Sequence, residues 1–161
     1  MADAPVPFSH APGGGVPFAL PTGVGHLLAA AGDTGGAISV VELVIRAGEG
    51  PGLHVHGRDH EIWYVLDGDF RFRLDDDVVA RSTGGFVFGP RGVPHTFRND
   101  GGTDGRLLVV STPSGLEEFF LDWTAAGEPE GLEALAASAR LAGVEFVGPP
   151  LGPLTADERT T

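Results

Sequence analysis

Two histidines one residue apart, His54 and His56, followed by Glu61 and much later by His95, restrict this chain more than any other feature. Alternate residues on a strand point to the same side, so His54 and His56 face one way together. On the next strand Glu61, Trp63 and Val65 share one face, while His60, Ile62 and Tyr64 share the other. Three imidazoles and one carboxylate form a mixed N/O donor set suited to one divalent transition metal (Fe, Mn, Co, Ni, Cu or Zn). A chain that must bring these side chains to one point from separate strands has to close its sheets around them.

The remainder of the sequence supplies those strands. The 26 glycines and 13 prolines fall between short apolar segments rather than in repeats, as expected for many turns joining many short strands. Residues 38–46, rich in Val and Ile, read as a strand. Further strands are expected at 16–20, 25–31, 53–56, 61–66, 69–74, 78–81, 85–88, 94–98 and 106–112. Residues 27–31 read equally well as a turn of helix. Asp67-Gly68 marks a tight hairpin, and Asp75-Asp76-Asp77 a second turn. Ser114 and Glu117 have the spacing of a capping box opening a helix over 116–126. Pro129 opens a second helix over 130–142, which stops at Gly143. Residues 144–154 are apolar but broken by proline and are expected to pack as an extended strap, and 155–161 to be disordered.

Charge and composition exclude whole classes of partner. With 10 Lys and Arg against 22 Asp and Glu, the net charge of −12 repels nucleic acid and anionic membrane surfaces. The absence of cysteine removes disulfides and thiolate ligands. No basic leader and no apolar run long enough to span a bilayer are present, so a cytoplasmic protein is expected. A chain of 161 residues is long enough to bury a core as one domain.

The two segments that carry the ligands resemble the two motifs of the cupin superfamily. Gly48, His54, His56, Glu61 and Gly68 match the first motif, and Gly84, Pro90, Gly92, His95 and Asn99 match the second, with fifteen residues between Gly68 and Gly84. The resemblance implies a mainly β fold: a double-stranded β-helix (cupin or jelly-roll) barrel over 36–112. An N-terminal arm with short strands (1–35) would precede it, and a C-terminal helical segment and tail (113–161) would pack on it.

Within that superfamily, the run from His60 to Phe72 and the C-terminal arrangement look like single-domain bacterial proteins similar to quercetin dioxygenase. That likeness implies His54, His56, Glu61 and His95 as metal ligands, with Glu61 also the catalytic base toward a substrate hydroxyl. It implies a small-molecule substrate, dioxygen as co-substrate, and a homodimer formed through the N-terminal strands. Trp63, Val65, Phe97, Phe72, Phe86 and Phe88 are expected to line the barrel and the substrate pocket. Arg71 and Arg73 are expected to be solvated, and His60 to serve packing rather than ligation. The same ligands also suit a non-redox cyclase, isomerase or lyase of secondary metabolism, for example in polyketide tailoring. A third reading is a non-enzymatic barrel that binds a small ligand.

Overall fold

The computed structural model describes residues 4–127 and 131–155. The order of elements is β1 (Val16–Leu20), β2 (Gly23–Ala29), α1 (Ala31–Thr34), β3 (Ser39–Ile45), β4 (Gly52–His56), β5 (His60–Asp67), β6 (Asp69–Leu74), β7 (Asp77–Ser82), β8 (Phe86–Gly89), β9 (His95–Asn99), β10 (Gly105–Thr112), α2 (Glu117–Ala125), α3 (Leu132–Leu141) and β11 (Val144–Pro150). Two antiparallel sheets face each other, one ordered β1-β2-β3-β10-β5-β8 and the other β11-β4-β9-β6-β7. This is the double-stranded β-helix barrel of the cupin fold.

Strand alternation sets the core. Along β3, Ser39, Val41, Leu43 and Ile45 are buried, and along β5, Glu61, Trp63 and Val65, while the residues between them are at least partly exposed. β5 and β6 meet at Asp67-Gly68, where Gly68 takes φ +100°, a conformation that favours glycine. The ambiguity at 27–31 resolves into both answers: β2 runs to Ala29, and the single turn of α1 starts at Ala31. Among the described residues no helix is long and apolar enough to cross a membrane.

The C-terminal segment packs on the barrel as an extended segment, as expected. The expected extended strap is a strand: β11 hydrogen-bonds along β4, with register shifts that absorb its glycine and prolines. Beyond it, Arg98 donates to the Leu151 carbonyl at 3.2 Å, and Arg71 to the Gly152 carbonyl at 2.7 Å. Arg71 also forms a two-toothed pair with Asp100, so it is half-buried and engaged rather than solvated. The capping box is also displaced. α2 begins only at Glu117, whose buried carboxylate accepts from Gly115 N and, across the barrel end, from Ala31 N, each at 2.7 Å. The expected start of the second helix at Pro129 and the expected disorder at 156–161 lie outside the described residues.

Candidate metal centre

β4 delivers His54 and His56, β5 delivers Glu61, and β9 delivers His95 directly opposite His54 in the strand register. All four side chains are buried. Their candidate ligand atoms lie within 4.8 Å of one another. Glu61 Oε2 is the hub, 3.0 Å from His95 Nε2, 3.2 Å from His56 Nε2 and 4.0 Å from His54 Nε2.

The other ring nitrogens fix the tautomers. His54 Nδ1 donates to the Gly52 carbonyl at 2.7 Å and His95 Nδ1 to the Val93 carbonyl at 2.9 Å. His56 Nδ1 donates to Asp59 Oδ2 at 3.0 Å. With hydrogen on each Nδ1, the three rings turn Nε2 toward the same carboxylate oxygen. Orientation through Nδ1 is how proteins aim histidines at a metal. Ligands ~2.0–2.2 Å from a shared ion stand up to ~4.4 Å apart, close to the spread seen here. The residues fit a divalent ion.

Electrostatics agree with that geometry. Burial, reinforced by His95 and His56, lowers His54 to about 3, so its ring is neutral. Burial opposes the charge on Glu61, yet His56, His95 and His54 together lower it to about 2. Burial also opposes charge on His56, but Glu61 and Asp59 outweigh it and raise this ring above its ordinary value. Metal binding requires an unprotonated Nε2 and so works against the raised affinity of His56 for a proton.

A second-motif turn holds the centre in place. Gly92, at φ +80°, donates its N–H to the His56 carbonyl at 2.8 Å, and Val93 N closes the turn on the Pro90 carbonyl at 3.2 Å. Asn99 Nδ2 donates to the carbonyls of Ile45 and Thr103, both at 2.9 Å. That asparagine ties the end of β3 to the loop after β9 rather than touching the site. On the outer face His60 Nδ1 accepts from Arg91 N at 3.1 Å, away from the centre.

A cavity with about 70 Å³ of free space opens on His54, His56 and Glu61. Its walls are apolar: Leu43 and Ile45 from β3, Phe97 from β9, Leu116, Phe119 and Phe120 from α2 and the turn before it, and Val144 and Phe146 from β11. Phe120 stacks on Phe18 with ring centroids 4.4 Å apart, which fixes α2 over the barrel end.

Of the six expected pocket residues, only Phe97 lines this cavity. Trp63, Val65 and Phe72 are buried in the core beside the centre, with the Trp63 ring edge-on to His95 at 5.1 Å. Phe86 and Phe88 point the opposite way from expectation and are 58% and 45% exposed. The reason is Trp63. Its ring occupies the space in front of Gly89, where an added Cβ would stand 2.7 Å from it, so Val87 and Gly89 face inward and both phenylalanines face outward. Two groups escaped the sequence reading. Asp59 carries a weak signal, a carboxylate three residues from a ligand histidine. Residues 116–120 and 144–146 carry none, because their approach to the site is a matter of tertiary packing.

Residues 41–111 match the family described as "Cupin domain". That match covers less than half of the chain and agrees with the fold, which is shared with solved cupin structures. Protein SchB from Streptomyces halstedii is 37% identical over 83 residues, 52% of this chain and 59% of SchB. The mannose-1-phosphate guanylyltransferase of Escherichia coli is 28% identical over 86 residues, 53% of this chain and 18% of that protein. The chain thus spans less than two thirds of either relative.

Among solved structures, a Thermotoga maritima protein described as a predicted oxalate decarboxylase superposes with TM-score 0.54 at 25% identity, covering 56% of this chain and 79% of its own. KdgF from Halomonas sp. gives TM-score 0.53 at 20% identity, with 58% and 81% covered. The latter likeness is one of fold alone.

Proposed function

We propose that this protein is a metal-dependent enzyme acting on a small aromatic or enolisable hydroxy compound, in the first instance as an oxygenase that uses dioxygen. A divalent ion held by His54, His56, Glu61 and His95 would supply Lewis acidity and a template for the substrate oxygen. The observation that carries the reading is the position of Glu61: its Oε2 touches two of the three histidines and lies at the floor of an apolar cavity. A carboxylate there is within reach of a substrate hydroxyl and accepts its proton. An acidic phenol or enol hydroxyl gives up its proton to a carboxylate more readily than an alcohol does. Phe97, Phe119 and Phe146 exclude water and offer flat apolar contact to a ring.

Quercetinase-like opening of a flavonol is the specific version of this reading. Free space of about 70 Å³ takes a single ring or a small acid, and a three-ring flavonol requires the side chains of α2 to give way. That size supports a second reading, a non-redox cyclase, isomerase or lyase in which the same groups generate and hold an enolate. Dioxygen uptake separates the two. Metal-loaded protein is offered one-ring catechol-like and enediol substrates and a flavonol, with and without dioxygen. Oxygen-dependent turnover upholds the oxygenase; turnover that persists without oxygen replaces it with the non-redox enzyme. Binding without turnover in either atmosphere overturns both in favour of a ligand-binding barrel.

A further inference from the structure

Gly57, Arg58 and Asp59 join β4 to β5, and each makes a different attachment. Asp59 is buried and accepts from Nδ1 of the ligand His56 at 3.0 Å. Gly57 donates its N–H to the Gly143 carbonyl at 2.9 Å. Arg58 lies on the outside and donates through Nη1 to the Leu141 carbonyl at 2.8 Å. The turn that holds a ligand histidine is thereby fastened at two points to the corner where α3 runs into β11.

That corner is shaped to receive the arginine. Leu141 is the last residue of α3, and its carbonyl is one of those a helix leaves without an internal partner. The negative end of the helix dipole lies there too, so a guanidinium satisfies both. Gly143 takes φ +77°, and a Cβ on it would stand 2.8 Å from Cγ and Cδ of Arg58. The arginine stem thus fills the space that a side chain at 143 would need. Glu118, 3.6 Å from the same Nη1, is an exposed ion-pair partner and adds little.

We infer that Arg58 is a positioning residue for the metal centre: by tying the 57–59 turn to the end of α3, it holds Asp59 against His56 and keeps His56 Nε2 aimed at the ion. The inference rests on the reading of His54, His56, Glu61 and His95 as a metal site. Asp59 needs such a hold, because its Oδ1 is buried without a hydrogen-bond partner. A carboxylate buried in that state gains by turning toward water unless its backbone is fixed. Charge alone makes the opposite prediction. A guanidinium two residues from a ligand repels a divalent cation, so by that effect losing Arg58 would tighten metal binding. Losing a positioning residue weakens it.

The zinc affinity of the full chain, measured by competition with a chromogenic chelator, tests the inference. Arg58→Ala should bind zinc roughly 10-fold more weakly, the lower end of the loss expected for groups that orient a ligand histidine. Arg58→Lys keeps a donor and an apolar stem and should recover most of that loss. In an Asp59→Ala background the arginine has nothing left to position, so adding Arg58→Ala should cost less than ~2-fold more. Circular dichroism and urea unfolding of the metal-free chains verify that the variants fold. Unchanged or tighter zinc binding in Arg58→Ala overturns the inference. So does an Arg58→Lys chain that binds no better than Arg58→Ala, or an undiminished loss on top of Asp59→Ala. A wild type that takes up no zinc overturns the metal reading itself, and the inference with it.

Discussion

The Asp59 carboxylate lies 3.0 Å from Nδ1 of His56, and both side chains are almost wholly buried. The other two site histidines donate to backbone carbonyls, so His56 is distinguished by a charged partner. That partner, together with Glu61, raises His56 above its ordinary value despite burial. Asp59→Asn keeps the shape but removes the charge. Metal affinity, measured by competition with a chromogenic chelator, should weaken by roughly 10–100-fold. Unchanged affinity would leave Asp59 with no part in the site.

Glu61→Gln separates ligation from base chemistry. The amide retains a carbonyl oxygen in place but accepts a proton far less readily. Bound metal, measured by elemental analysis, should persist at reduced affinity while turnover of any accepted substrate is lost. Full activity in this variant would remove Glu61 from the role of base.

Acid should destabilise the metal-free protein in two stages. His54 titrates near 6.5 when unfolded but only at about 3 when folded, so between these values the unfolded chain binds more protons and stability falls as pH falls. Glu61, moved from 4.5 to about 2, adds a second loss of the same sign below pH 4.5. His56 works in the opposite sense: its raised value gives stability that is complete below 6.5 and is lost as pH rises through the folded value. Urea midpoints should therefore drop between pH 6.5 and 4.5 and drop further below 4.5. A flat or rising profile over that range would contradict the assignment of a neutral His54.

The lid of the cavity depends on one aromatic stack. Phe120 is buried against Phe18, so Phe120→Ala should cost about 3–5 kcal/mol by thermal or urea unfolding. Phe119 is only half-buried and also lines the cavity. Phe119→Ala should leave stability less affected and admit larger rings, visible as a lower KM for two- and three-ring substrates relative to one-ring ones.

What the sequence made legible follows from period and spacing. The alternation of Glu61, Trp63 and Val65 against His60, Ile62 and Tyr64 predicted the inner and outer faces of β5 correctly, whereas Asp67-Gly68 is a turn but not the expected hairpin: β5 and β6 belong to different sheets, so the chain crosses from one to the other there. The histidines and Glu61 could be grouped because strand geometry ties spacing to direction. Phe-Val-Phe in β8 could not be oriented this way: a shift of one residue reverses every side chain, and the bulk of Trp63 made the choice. The cavity walls from 116–120 and 144–146 come from segments remote in sequence, brought over the barrel end by the Phe18–Phe120 stack and the β11–β4 pairing. No local pattern encodes that meeting.

The central claim is that His54, His56, Glu61 and His95 form one metal site. Its most direct test is the metal content of the purified chain before and after titration with divalent first-row ions, with His95→Ala measured in parallel. The account expects one ion per chain in the wild type and loss of tight binding in the variant. A wild type that carries only traces of metal and takes up none on titration, or a variant that binds as well as wild type, would contradict it.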